Sequence, residues 1–154
     1  MHTFTLVFLT ALALTTLIQI WLATRHIRHI RAHQNTVPEK FSSQINLADH
    51  QKAADYTCAK TRTGYPGVVL QVALLLIFTL GGGLNALNSF WANWLGDPLA
   101  HGMALIISTF LLMGIAEVPL SYYRTFVIEE QYGFNKMTRA MFFTDLIKQS
   151  LLGL

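Results

Sequence analysis

The sequence predicts an all-α integral membrane protein with three transmembrane helices and the start of a fourth. Three observations carry this. The 154 residues are 53% hydrophobic and only 12% charged, against about 25% charged in an ordinary soluble domain. The charges are also clustered. No Asp, Glu, Lys or Arg lies between Phe4 and Thr24, between Thr63 and Gly96, or between Pro98 and Ala116. Last, the basic residues gather beside these uncharged runs, where topology signals and lipid headgroups act on them. A helix of about 20 apolar residues crosses a hydrocarbon core roughly 30 Å thick. A soluble helix of that length would need a polar face.

The expected spans are residues 4–24, 65–86 and 99–120. Trp21 stands near the end of the first as an interfacial anchor. No basic n-region precedes this span and no small-x-small site ends it. It therefore reads as a retained anchor rather than a signal peptide. The second span contains Gly81, Gly82 and Gly83. Gly82 and Ala86 permit close helix approach, and the glycine run equally permits a bend. No Lys-Ser/Thr follows, so a phosphate loop is excluded. The fourth helix is expected from Thr138, where Phe142, Phe143, Leu146, Ile147 and Leu151 recur at helical spacing. The sequence stops at Leu154 inside that pattern, as expected of a fragment.

The loop of residues 25–64 carries Arg25, Arg28, Arg31, Lys40, Lys52, Lys60 and Arg62 against Glu39, Asp49 and Asp55. The positive-inside rule makes it cytoplasmic. The N-terminus and the short connection of residues 87–98 then lie outside, and everything after Leu120 lies in the cytoplasm. Phe90, Trp91 and Trp94 suit the outer aromatic belt, and Tyr122 and Tyr123 the inner one. Within the loop, Pro38 stops any helix continuing from the first span. Ile45 to Arg62 is expected as a surface helix with Leu47, Ala54 and Cys58 on one side. Cys58 is the lone cysteine, so no disulfide forms within the chain. The net charge of +3 is modest and no RNA- or DNA-binding motif is present. The lipid bilayer is the expected partner, and nucleic acid is not.

Few residues carry candidate chemistry. His26, His29 and His33 fall on one helix face and would suit a metal, but the interleaved Arg25, Arg28 and Arg31 repel a cation. The plainer reading is a basic helix end bound to headgroups. Glu117 is an ionisable residue near the inner end of the third span, and an intramembrane carboxylate is a functional candidate by default. Its closeness to the interface equally lets it reach water or a basic group. Glu129 and Glu130 are adjacent, so they diverge by about 100° on a helix and do not converge on one substrate atom. An ion pair with Arg124 or Lys136, or a helix N-terminal contact, is expected of them instead. Gly133 is expected at a turn with φ > 0. Asn135 or Thr138 is expected to cap the helix that carries Asp145 and Lys148 at i, i+3 spacing.

The stretch 119–148, PLSYYRTFVIEEQYGFNKMTRAMFFTDLIK, is the most distinctive in the chain. Pro119, Ser121, Tyr123, Phe126, Val127, Glu129, Glu130, Gly133, Phe134 and Asn135 form a dense run. Thr138, Phe142, Asp145 and Lys148 follow it. This run resembles the N-terminal region of the CAAX prenyl protease type 1 family, integral-membrane zinc metalloendopeptidases. The upstream order agrees: one span, a long cytoplasmic loop with a Val-Pro, and two spans joined by a short turn.

The resemblance implies a multi-span helical barrel around a water-filled chamber, of which residues 1–154 form the N-terminal membrane region. It implies zinc in the full-length protein, held by an H-E-x-x-H helix, with the motif Glu as base on a zinc-bound water. This chain contains no H-E-x-x-H. The catalytic domain is absent, and no catalytic or metal role passes to any residue here. The implied partners are the remainder of the protease and, through it, a peptide or prenylated protein substrate. The lean loops suit a bacterial inner membrane, with the endoplasmic reticulum membrane as the eukaryotic counterpart. The alternative is a non-enzymatic membrane scaffold or partner subunit.

Overall fold

A computed structural model describes residues 2–152. Leu154, at the end of the expected fourth helix, lies outside the described residues. Among these residues the fold is wholly helical. The helices are α1 (Thr3–His33), α2 (Leu47–Arg62), α3 (Gly64–Thr79), α4 (Gly83–Ala92), α5 (Pro98–Tyr123) and α6 (Arg139–Leu152). A 3-10 turn, Glu39–Phe41, and a π-helical turn, Arg124–Glu129, complete the chain. Three helical stretches are long and apolar enough to cross a membrane: Thr3–His33, Leu47–Thr79 and Pro98–Glu129.

Helix α1 has 31 residues, about 46 Å of rise, and so exceeds what a bilayer core needs. The basic tail from Arg25 to His33 continues the helix instead of starting a loop. The chain then turns at Val37-Pro38 and returns as α2. The expected loop of residues 25–64 is thus largely a helical hairpin. Gln51 Nε2 donates to Asn35 Oδ1 at 3.0 Å across its tip. At its base Thr24 Oγ1 and Tyr65 Oη lie 3.0 Å apart. Those two contacts set α1 antiparallel to α2 and α3. Asn46 caps α2 by accepting from the Asp49 N–H at 2.8 Å. Of the expected apolar side of α2, Ala54 and Cys58 are buried and Leu47 is exposed.

A single turn at Thr63 separates α2 from α3. Pro66 causes it, because Pro has no N–H to offer the carbonyl of Arg62 and its ring crowds that carbonyl. Thr63 Oγ1 donates to the Lys60 carbonyl at 2.7 Å and tightens the turn.

The expected continuous span 65–86 is divided. Helix α3 ends at Thr79, and Gly82 is left-handed at φ 80°. The Gly81 N–H reaches back to the Leu76 carbonyl at 2.8 Å. A Cβ at Gly81 would sit 2.8 Å from the Ile77 carbonyl oxygen. The glycines therefore act as a turn rather than as a packing surface. The expected outer connection 87–98 is replaced over its first half by α4, and only residues 93–97 form a loop. Leu84, Leu87 and Trp91 share one face of α4. Trp91 Nε1 donates to Ser108 Oγ at 3.0 Å and fixes α4 on α5. Asp97 caps α5 by accepting from the Ala100 N–H at 2.8 Å, with Pro98 at the first helical position.

Among the described residues few side chains are largely buried, Ala54, Cys58, Thr63, Ile128 and Phe142 among them, and none of these is shut off completely. No residue of α1 or α5 is buried. Apolar surfaces this bare are compatible with lipid or further helices around them, not with water.

Candidate functional site

The stretch 119–148 builds one structure at the C-terminal end of α5. Pro119 interrupts the helix ladder of α5 by withholding an N–H from the Ile115 carbonyl. Five residues beyond Pro119 the helix widens into the π-turn Arg124–Glu129. Such turns disturb the side-chain register and are frequent at functional sites. Here the turn swings Phe126 toward Tyr122, with ring centroids 4.6 Å apart. Phe142 of α6 completes the cluster, 5.6 Å from Phe126 and 5.7 Å from Tyr122. Phe142 is only 5% exposed. It holds α6 against the end of α5.

Between the π-turn and α6 the chain makes a tight hairpin. Gly133 adopts φ 74°, as its place in the sequence suggested. The Glu129 carbonyl accepts from the Phe134 and Asn135 N–H groups at 2.8 and 3.2 Å. Asn135 Nδ2 donates to the Glu130 carboxylate at 2.8 Å, and Asn135 Oδ1 accepts from the Met137 N–H at 2.7 Å. Thr138 Oγ1 accepts from the Met141 N–H at 3.2 Å and so caps α6. Of the two expected caps, Thr138 takes the role, and Asn135 instead braces the turn before the helix. The carboxylate of Glu130 accepts from Asn135, a partner other than the expected Arg124, Lys136 or helix N-terminus. Asp145 and Lys148 both lie on α6, half-buried and exposed respectively. Tyr123 faces the surface at 46% exposure.

The hairpin docks on α2. The Tyr56 ring lies 4.6 Å from Phe134 and 5.5 Å from Tyr132, and Lys52 Nζ sits 5.6 Å from the Phe134 centroid. Below it, Arg124 Nη2 donates to the Thr63 carbonyl at 3.2 Å. A Cβ at Gly67 would lie 2.8 Å from that Arg124 nitrogen. Thr63, Gly67 and Tyr56 escape reading from the sequence, which suggests for Arg124 only an ion pair with Glu129 or Glu130. Arg124 and Thr63 are 61 residues apart, and local periodicity carries no information about such a pair. The available signal was a glycine at the start of an apolar helix.

Behind the hairpin, α5 and α6 enclose an open groove of about 880 Å³. Its walls are apolar, with Phe110, Ile115 and Val118 on one side and Phe143, Leu146 and Ile147 on the other. Glu117 and Ser121, one helical turn apart, are its polar groups on α5. This arrangement accepts an apolar chain or helix and offers it a carboxylate and a hydroxyl. His26, His29 and His33 do not converge with acidic residues. His33 Nδ1 lies 2.9 Å from the His29 carbonyl, and the two rings are 4.3 Å apart. Among the described residues no group of three His, Cys, Asp or Glu side chains is placed to hold a metal ion.

Known proteins resemble this chain in sequence and in fold. The family model described as the CAAX prenyl protease N-terminal region, with five membrane helices, matches residues 26–154. A CAAX prenyl protease 1 homolog of Caenorhabditis elegans is 32% identical over 128 residues, 82% of this chain and 28% of that protein. A probable CAAX prenyl protease 1 of Schizosaccharomyces pombe is 39% identical over 131 residues, 75% of this chain and 27% of that protein. The crystal structure of Ste24p from S. mikatae superposes with a TM-score of 0.86 at 21% identity. It covers 99% of this chain, which spans 36% of that one. At that identity the likeness concerns the fold. The chain spans about 28% of the length of the curated relatives it matches. By sequence along most of its length, and by fold throughout, it belongs to the CAAX prenyl protease family and constitutes an N-terminal membrane domain of that family.

Proposed function

We propose that this chain is the membrane anchor and part of the chamber wall of a zinc metalloendopeptidase that cleaves prenylated or other membrane-associated proteins. The observation that carries this is the apolar groove between α5 and α6, which opens beside a rigidly braced juxtamembrane hairpin. A wall needs an apolar outer face for lipid and a fixed inner edge against which the rest of the enzyme closes. Residues here would bind and orient substrate or neighbouring helices. The zinc that the resemblance implies would be held by an H-E-x-x-H helix in the remainder of the protease. Glu117 and Ser121 are the groups of this chain best placed to meet a substrate. The bilayer arrangement proposed has the N-terminus and the loop 93–97 outside, with the α1–α2 hairpin in the cytoplasm. A bacterial inner membrane suits the short loops, and the endoplasmic reticulum membrane is its eukaryotic counterpart.

The test uses the full-length protein in detergent or nanodiscs with a farnesylated CAAX peptide. It should release the terminal tripeptide in a zinc-dependent reaction, and residues 1–154 alone should release none. Turnover by residues 1–154 would overturn the wall assignment. Absence of turnover by the zinc-loaded full-length protein would overturn the protease reading.

A further inference from the structure

We propose that the outward face of α1 at the cytoplasmic interface is a specific site for the phosphate of one anionic lipid headgroup. Trp21, Thr24, Arg25, Arg28, His29 and Ala32 line an open recess of about 500 Å³ there. Their spacing places them on one face of the helix. Ala23, Ile27, Ile30 and Gln34 occupy the opposite face and are half-buried against the rest of the fold. The recess therefore points away from the half-buried face of α1, and only Thr24 at its edge reaches α3, through Tyr65.

Its depth is set independently. The Thr24–Tyr65 contact stands where both chains pass from apolar to polar sequence. Trp21 lies one turn on the membrane side of that level, and Arg25 and Arg28 lie just beyond it. An indole at this height is an interfacial anchor. The Arg25 guanidinium sits over it, 5.4 Å from the ring centroid. Stacked this way, Arg25 is oriented but its N–H groups remain free for an anion. Arginine presents two parallel donors that match a phosphate, which a lysine does not. Arg28 and His29 supply further donors, and Ala32 leaves the recess open above them. Because α1 continues unbroken to His33, these groups keep a fixed height relative to the headgroups. A flexible basic loop would attract anionic lipid without a defined site. A rigid helix holding two arginines and a tryptophan on one face selects a single headgroup.

Native mass spectrometry of the full-length protein, titrated with phosphatidylglycerol or phosphatidylcholine, tests this. Wild type should retain one phosphatidylglycerol with at least tenfold preference over phosphatidylcholine. Arg25→Gln with Arg28→Gln should abolish the preference. Arg31→Gln with Lys40→Gln removes the same charge from elsewhere on the hairpin and should leave the preference intact. Equal loss in both double variants, or loss in neither, overturns the site. Displacement of the lipid by millimolar inorganic phosphate would make it a site for the free anion and overturn the lipid assignment. Arg25→Lys with Arg28→Lys keeps charge and fold, and should still weaken the preference several-fold. An unchanged preference there overturns the role given to the guanidinium fork.

Discussion

Gly133 shows how one residue can carry a local structure. Its φ of 74° lies where side chains with a Cβ are strained, and the nearest foreign atom, Lys52 Nζ, is 3.8 Å from where a Cβ would stand. Space is therefore available, and the backbone conformation alone is what a substitution would disturb. Gly133→Val is expected to lower the stability of the full-length protein by about 1–2 kcal/mol, read as a fall in thermal midpoint in detergent. Gly64→Ala is the contrast: nothing lies within 4 Å of that Cβ and φ is not positive, so its midpoint should hold or rise. Equal losses at both positions would show that the hairpin conformation is not what Gly133 provides. The carboxylates illustrate the opposite case. Adjacent in sequence, Glu129 and Glu130 diverge on a helix and are expected to serve structure rather than to act as a pair. In the fold Glu129 contributes its carbonyl to the hairpin, and Glu130 its carboxylate to Asn135.

At the scale of elements, the sequence was most legible where apolar runs are long. The runs over 4–24 and 99–120 mark α1 and α5, because apolar segments of that length, uncharged throughout the first and up to Ala116 in the second, suit lipid better than water. The breaks were less legible. Gly81 to Gly83 announced flexibility, but only the left-handed Gly82 decides between a bend and a close helix contact. The α1–α2 hairpin was hidden by its own charge: Arg25 to His33 reads as a loop by polarity, and helix continuity overrides polarity once the first span is formed. The contact of α3 with the end of α5 was not legible at all. There, Gly67 leaves room for Arg124 to reach the Thr63 carbonyl. A double-mutant cycle measures it. Gly67→Val should displace the guanidinium and destabilise the protein. On an Arg124→Ala background the same change should cost about 1 kcal/mol less, since the hydrogen bond is already gone. Strict additivity in thermal or denaturant unfolding would mean that the glycine serves Leu120 packing alone.

For the molecule as a whole, the decisive question is how it sits in the membrane, and the fold sharpens the charge argument. The Thr24–Tyr65 contact places the ends of two spans at one level. The helical hairpin beyond that level projects roughly 14 Å at α1's rise per residue, and the docked motif at Tyr132 to Phe134 stands beside it on α2. The proposed orientation puts all of this on the side where basic residues are retained, and the loop 93–97 on the other. Single cysteines in a Cys58→Ala background of the full-length protein test the arrangement. Asn93→Cys should react with a membrane-impermeant maleimide in intact vesicles or cells that display the outer face. Ala32→Cys and Ala53→Cys, both exposed on the hairpin, should react only after permeabilisation. Thr15→Cys, in the middle of α1, should resist labelling in both conditions. If Ala32→Cys also resists after permeabilisation, the hairpin is covered by lipid or by the rest of the protease. If Ala32→Cys and Asn93→Cys label from the same side, the positive-inside orientation is wrong, and the anionic-lipid face of α1 then meets the opposite leaflet.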